Sequence, residues 1–183
     1  ILKLIKLIIM TQELIDLRAS ILEQRYEDAL AIIDELEWMS KKQILQTIES
    51  FLVRMLVHLI KNQVEQRLTN SWAASIEGSI IKIRKLNLKE NKTSYYIEQN
   101  EWDDLLEEAF NESILPASAE IFNGEYSPKQ LMNRVNMTQV VASAKKFLDL
   151  TYSYSNKELP YAVKEQLSEL PGGKDWELGR KDS

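Results

Sequence analysis

One imidazole, no thiol and scattered carboxylates make up the reactive inventory of this chain of 183 residues. His58 stands in Leu56-Val57-His58-Leu59-Ile60, and Asp34, Glu35 and Glu37 are the carboxylates that a helical bundle could set across from it. An imidazole beside a carboxylate makes a general base, and His58 with Glu35 and Glu37 is a metal-ligating set to consider, as the core of a metal-dependent hydrolase. The local pattern speaks against both. Met55 stands three residues before His58, so the Glu-x-x-His of di-iron bundles is missing, and so is His-Glu-x-x-His. With a single His, no site needing two imidazoles can come from one chain. The simpler expectation is a neutral core histidine, hydrogen-bonded to Glu37 or to the Trp72 indole, that fixes helix register. No catalytic residue, metal or cofactor is expected.

Two charge clusters can be weighed in the same way. Asp103-Asp104 and Glu107-Glu108 stack carboxylates on adjacent helical turns, the oxygen-ligand chemistry of a hard cation such as Mg²⁺. Acids also favour the first turn of a helix, and a solvated helix face has the same composition. Lys82, Arg84, Lys85, Lys89 and Lys92 form a basic stretch suited to phosphates, which makes a nucleic-acid-associated protein the alternative function. Against it stand 28 acids to 23 bases, a net charge of −5, and no recognisable nucleic-acid-binding motif. Gly172-Gly173 lacks the Lys-Ser/Thr of a phosphate loop.

These residues need elements to hold them, and the chain reads as helix after helix. Five Gly and four Pro fall mostly where connections belong, and Cys is absent, which removes disulfides and thiolate chemistry. Thr11 caps a helix with Leu14, Leu17 and Ile21 on one face. A second helix starts near Tyr26 and is interrupted at Trp38-Met39-Ser40. Ser40 and Gln43 make a capping-box pattern for a third, Lys41 to Leu68, whose wide apolar arc around Ile44, Ile48, Phe51 and Met55 predicts burial on more than one side. After a break at Thr69-Asn70-Ser71 comes the stripe Trp72, Ile76, Ile80, Ile83. A polar connection, 89–100, follows, in which Tyr95-Tyr96-Ile97 is a short strand or a helical turn. Asn100 caps the helix carrying Trp102, Leu106 and Phe110, and Pro116 should kink or split it. Ser127-Pro128 and Pro160 open later helices, and Leu170-Pro171-Gly172-Gly173 stops the last one.

Three blocks along these helices resemble one family. Asp34-Glu35-Leu36-Glu37-Trp38-Met39-Ser40-Lys41, Leu56-Val57-His58-Leu59-Ile60-Lys61 and Asn70-Ser71-Trp72-Ala73-Ala74-Ser75-Ile76 are similar, in order and spacing, to blocks of the helical, largely cyanobacterial family catalogued as domain of unknown function number twenty-nine. The likeness is good from Gln12 to Leu86 and looser beyond, and Asn62 stands where the second block has an aromatic residue. The resemblance implies an α-helical, cytoplasmic protein with no assigned activity.

The expected architecture is all-α, a bundle of about six to eight helices with a second helical layer. Residues 1–9, apolar but for Lys3 and Lys6, are expected to be an extension preceding a natural start at Met10; a membrane-surface anchor is the alternative, and no transmembrane span is expected. Residues 10–173 are expected to form one domain, with a core bundle over 11–86 and the second layer over 100–171, and residues 174–183 a mobile tail. The expected function is a non-enzymatic protein-interaction or oligomerisation module, most simply a C₂ dimer. Trp38, Trp102 and Trp176 are its candidate anchors, because no apolar stripe plainly consumes them.

Overall fold

The computed structural model describes residues 2–179, with side chains from Thr11 onward. The expectations for the side chains of residues 1–9 and for residues 180–183 fall outside the described residues. Among those described, the chain is all-α: α1 (Leu2–Leu22), α2 (Tyr26–Glu65), α3 (Asn70–Asn87), α4 (Trp102–Glu120), α5 (Pro128–Met132), α6 (Met137–Ser153), α7 (Leu159–Ser168) and α8 (Gly173–Glu177). A 3₁₀ turn, Ile121–Asn123, extends α4. The Tyr95-Tyr96-Ile97 segment makes no strand, only an isolated bridge between Leu88 and Tyr95.

Several helices differ from the sequence expectation: α1 starts at Leu2 and runs through Thr11, which is therefore not its cap; Glu101, not Asn100, precedes α4; and α8 follows the stop at Gly172. The interruption at Trp38-Met39-Ser40 does not occur: α2 runs unbroken for 40 residues. Neither Gly nor Pro lies between Tyr26 and Glu65, and Trp, Met and Ser each cost a helix interior only a few tenths of a kcal/mol, about what tertiary packing overrides. Pro116 likewise stays inside α4. The carbonyl it deprives belongs to exposed Glu112, where water can serve it, and the helix ends one turn later.

The chain divides into two compact units, Ile1–Leu45 and Gln46–Ser183, with the boundary inside α2. In the first, α1 and the opening half of α2 form a hairpin. Gln24 takes a left-handed conformation (φ 58°), its N–H donating to the Ile21 carbonyl. The Arg25 N–H donates to the Ser20 carbonyl, so the orphan carbonyls of α1 are satisfied in the Schellman manner without a glycine. The Arg25 guanidinium then reaches Glu23 and Asp28, tying the turn to the acidic first turn of α2.

In the second unit α6 is the hub, touching α3, α4 and α7, while α3 also meets α7 and α4 meets α5. Leu52, Met55, Leu56 and Ile60 of α2, Ile76, Ile80 and Ile83 of α3, Phe110 of α4, and Phe147 and Leu148 of α6 are fully buried. Each such side chain contributes about 1.5–3 kcal/mol of transfer free energy. Thr69 caps α3, its hydroxyl accepting from the Trp72 N–H. Ser127 and Gln130 form a full capping box on α5, and Asn136 caps α6.

Candidate functional site

His58 lies on α2 in the second unit, half-buried, with Nδ1 shielded and without a hydrogen-bond partner among the described residues. The expected bond to Glu37 or to the Trp72 indole is not made: Glu37 is exposed in the first unit, and the Trp72 ring is faced by the Lys61 ammonium at 4.6 Å and the Arg67 guanidinium at 4.8 Å. Burial, then the positive charge of Lys61, lowers the His58 pKa to about 4; Glu120 opposes the shift and Arg54 adds to it. The imidazole is therefore neutral at pH 7 and a weak base. Lys61 is itself buried and pairs with Glu120 of α4 at 2.5 Å. Glu35, like Glu37, is exposed in the first unit, and among the described residues no three His, Asp or Glu side chains gather to hold a metal ion.

The three tryptophans proposed as anchors have different fates. Trp102 is 0% exposed. Its indole N–H donates to the Tyr152 hydroxyl at 2.7 Å, so it is a core residue and no anchor. Trp102 opens α4, but its indole is held by Tyr152 of α6, whose hydroxyl also donates to the Ile97 carbonyl in the connection 89–100. Trp176 is half-buried on α8, its indole N–H donating to the Asn70 side-chain oxygen at 2.8 Å. Trp38 is 60% exposed, with the Lys42 ammonium 4.8 Å above its ring.

The basic stretch is likewise divided. Lys82 and Lys85 are exposed on α3, but Arg84 donates twice to the Tyr154 carbonyl, at 3.1 and 2.8 Å. Lys89 follows the end of α3, with its ammonium 5.5 Å from the Tyr96 ring, and Lys92 sits in the next turn with φ 58°. In the acidic cluster Asp103 pairs with Lys145 of α6 at 2.6 Å, joining two helices, while Asp104, Glu107 and Glu108 are solvated.

The most exposed apolar surface belongs to the hairpin. Among its described side chains only Ser20 and Ala29 are buried, and both are small. On α2, Ala29, Ile32, Leu36 and Met39 recur every three to four residues as the more shielded seam. A second stripe, Tyr26, Leu30 and Ile33, is exposed, as are Leu14, Ile15, Ile21 and Leu22 of α1, the last at 74%. Trp38 follows Ile33 by five positions, which carries it about 140° round the helix, onto another face.

The sequence reading missed a buried polar knot. The Tyr152 hydroxyl accepts from Trp102 and, at 3.1 Å, from the Asn87 amide, and donates to the Ile97 carbonyl at 2.7 Å. The Asn87 amide also donates to that carbonyl at 2.8 Å and accepts from the Ile97 N–H at 2.7 Å. This knot pins the connection 89–100 to α3 and α6. The signal was present: Asn87 follows Ile83 by four residues, in register with a buried stripe.

Fold and site together define an all-α protein in which Lys61–Glu120, Asp103–Lys145 and Trp102–Tyr152 tie helices together, while the His58 imidazole is shielded without a hydrogen-bond partner among the described residues. The chain belongs to the family described as domain of unknown function DUF29, whose family model matches residues 11–135. No curated protein and no solved structure matches it.

Proposed function

We propose that the protein is a non-enzymatic interaction module whose N-terminal hairpin pairs with a second copy of the chain. The observation that carries this reading is the hairpin's open apolar surface. Seven large side chains, each roughly half exposed, present on the order of 700 Å², close to the ~800 Å² per partner of a standard interface. A unit this small, with no cysteine to staple it, encloses too little apolar surface to hold itself together, and a partner supplies the missing cover.

Charge favours a second copy as that partner. Glu27, Asp34 and Lys41 recur at seven-residue spacing along one edge of the Tyr26–Leu30–Ile33 stripe. An antiparallel second copy sets Glu27 against Lys41 twice, two attractive pairs that outweigh the single like-charge meeting of Asp34 with itself. Trp38, on its separate face, is a secondary anchor. An 18-residue window within α2 is apolar enough by composition to cross a membrane, with 39% of it buried in the protein; in the proposed reading it serves as a core helix.

Light scattering of the full chain tests the proposal. The expected mass is twice 21.3 kDa at micromolar concentration, falling to 21.3 kDa for Leu30→Glu combined with Ile33→Glu. A wild-type mass of 21.3 kDa without concentration dependence overturns self-association. Flotation with vesicles would instead identify the apolar face as a membrane contact.

A further inference from the structure

Within the second unit, the last turns of α2 and the middle of α6 border a groove of about 430 Å³, which Leu170 and Pro171 also line. Its volume is within the ~300–1,000 Å³ of small-molecule sites. The helices that border it face one another with polar side chains where apolar ones would ordinarily meet. Gln139, Ser143 and Lys146 recur at helical spacing on α6 and line the groove together with Asn62 and Gln63 of α2, Gln66 just past its end, and the apolar Leu59, Val140 and Leu170.

The walls are held by hydrogen bonds. Asn62 is 2% exposed and spends both amide hydrogens, on the Arg67 and Pro171 carbonyls, each at 2.8 Å. Gln63 is clamped to the first turn of α6, accepting from the Asn136 N–H at 2.8 Å and donating to the Asn136 carbonyl and to Gln139 Oε1, each at 3.2 Å. Other donors are uncommitted. Among the described residues Lys146 makes no ion pair, and the Ser143 hydroxyl and the Gln139 side-chain N–H₂ donate to none of them. Lys145 next door is already paired with Asp103, so of these two neighbouring lysines it is Lys146 that has no ion-pair partner among the described residues.

We infer that this groove binds a small organic carboxylate with an apolar body. One ammonium flanked by neutral donors matches a monoanion, whereas a phosphate dianion calls for two or more cations. Lys146 lies seven residues from Gln139, about 10 Å along the helix, so the carboxylate sits at the Lys146 end and the apolar body runs over Leu59, Val140 and Leu170 toward the amide bridge. Two of the three walls, α6 and the Leu170-Pro171 turn, lie outside residues 11–135, so the site belongs to this chain rather than to the matched family region.

The test uses the ¹⁵N-labelled full chain titrated with octanoate, with octanol and sulfate as comparison probes. Octanoate is expected to give saturable shifts at Gln139, Ser143, Lys146 and the last turns of α2. Its affinity should fall at least about tenfold in Lys146→Ala, an exposed position that leaves the fold intact. Ser143→Leu, which fills the groove, should abolish the shifts. Octanol should bind at least about tenfold more weakly than octanoate, and sulfate should leave these amides unmoved. Equal affinity for octanol and octanoate, an unchanged affinity in Lys146→Ala, shifts confined to the hairpin, or no saturable shift at millimolar octanoate would each overturn the assignment.

Discussion

A single hydroxyl, that of Tyr152, joins an indole, a side-chain amide and a main-chain carbonyl in the core. Burial is the main cause that raises its pKa to about 12, so the phenol stays protonated and can donate to Ile97. Tyr152→Phe strands the Trp102 N–H in an apolar setting and is expected to cost about 1–3 kcal/mol in chemical denaturation. His58 gives a prediction of another kind. Its imidazole stays neutral in the folded chain down to about pH 4, while in the unfolded chain it protonates near 6.5. Between those values the unfolded chain binds the extra proton. Stability is therefore full above pH 6.5 and falls as the pH drops toward 4, by on the order of 1–2 kcal/mol after discounting for partial solvent screening. Urea titrations at several pH values should show that slope in the wild type and lose it in His58→Leu. Part of this was legible in the sequence: the apolar neighbours of His58 announced its shielding. Lys61, one turn on along α2, was within reach of the sequence, but Glu120 was not: it stands 59 residues beyond Lys61 and only folding brings the pair together.

Element boundaries followed the strongest local chemistry. Ser127-Pro128, Thr69 and Pro160 open helices, as their side chains and fixed φ dictate. Trp38-Met39-Ser40 misled because a capping-box spelling inside a strong helix is outweighed by the hydrogen bonds on either side of it. The turn before α8 shows glycine used for space as well as for φ. Gly172 has φ 70°, and a Cβ there would stand 2.7 Å from the Arg67 Cα and 2.9 Å from the Leu68 nitrogen. Gly172→Ala is accordingly expected to cost at least about 1 kcal/mol, and thermal melting should show it. Because Asn62 holds the adjoining Pro171 carbonyl, the same change should also disturb the wall of the groove.

For the whole molecule, the all-α class was legible because every long segment carried helical spacing and the breakers fell between segments. The division at Leu45 was not, since both halves of α2 are equally good helix and what differs is how much apolar surface each leaves open. If the hairpin folds against a second copy, folding and association are linked, and the melting temperature is expected to rise with protein concentration over the micromolar range. Leu30→Glu with Ile33→Glu should make it independent of concentration. The opposite settings of Trp38 and Trp102 also make the chain its own optical gauge. Trp38 marks the hairpin and lies open to dissolved quenchers, while Trp102 marks the second unit and is sealed against them. Iodide should therefore dim the long-wavelength part of the emission first, and occlusion of Trp38 would register as protection from iodide with the Trp102 signal unchanged. Replacing Trp38 with Phe would leave a spectrum weighted toward the core, so loosening of the two units can be followed separately without attaching any label.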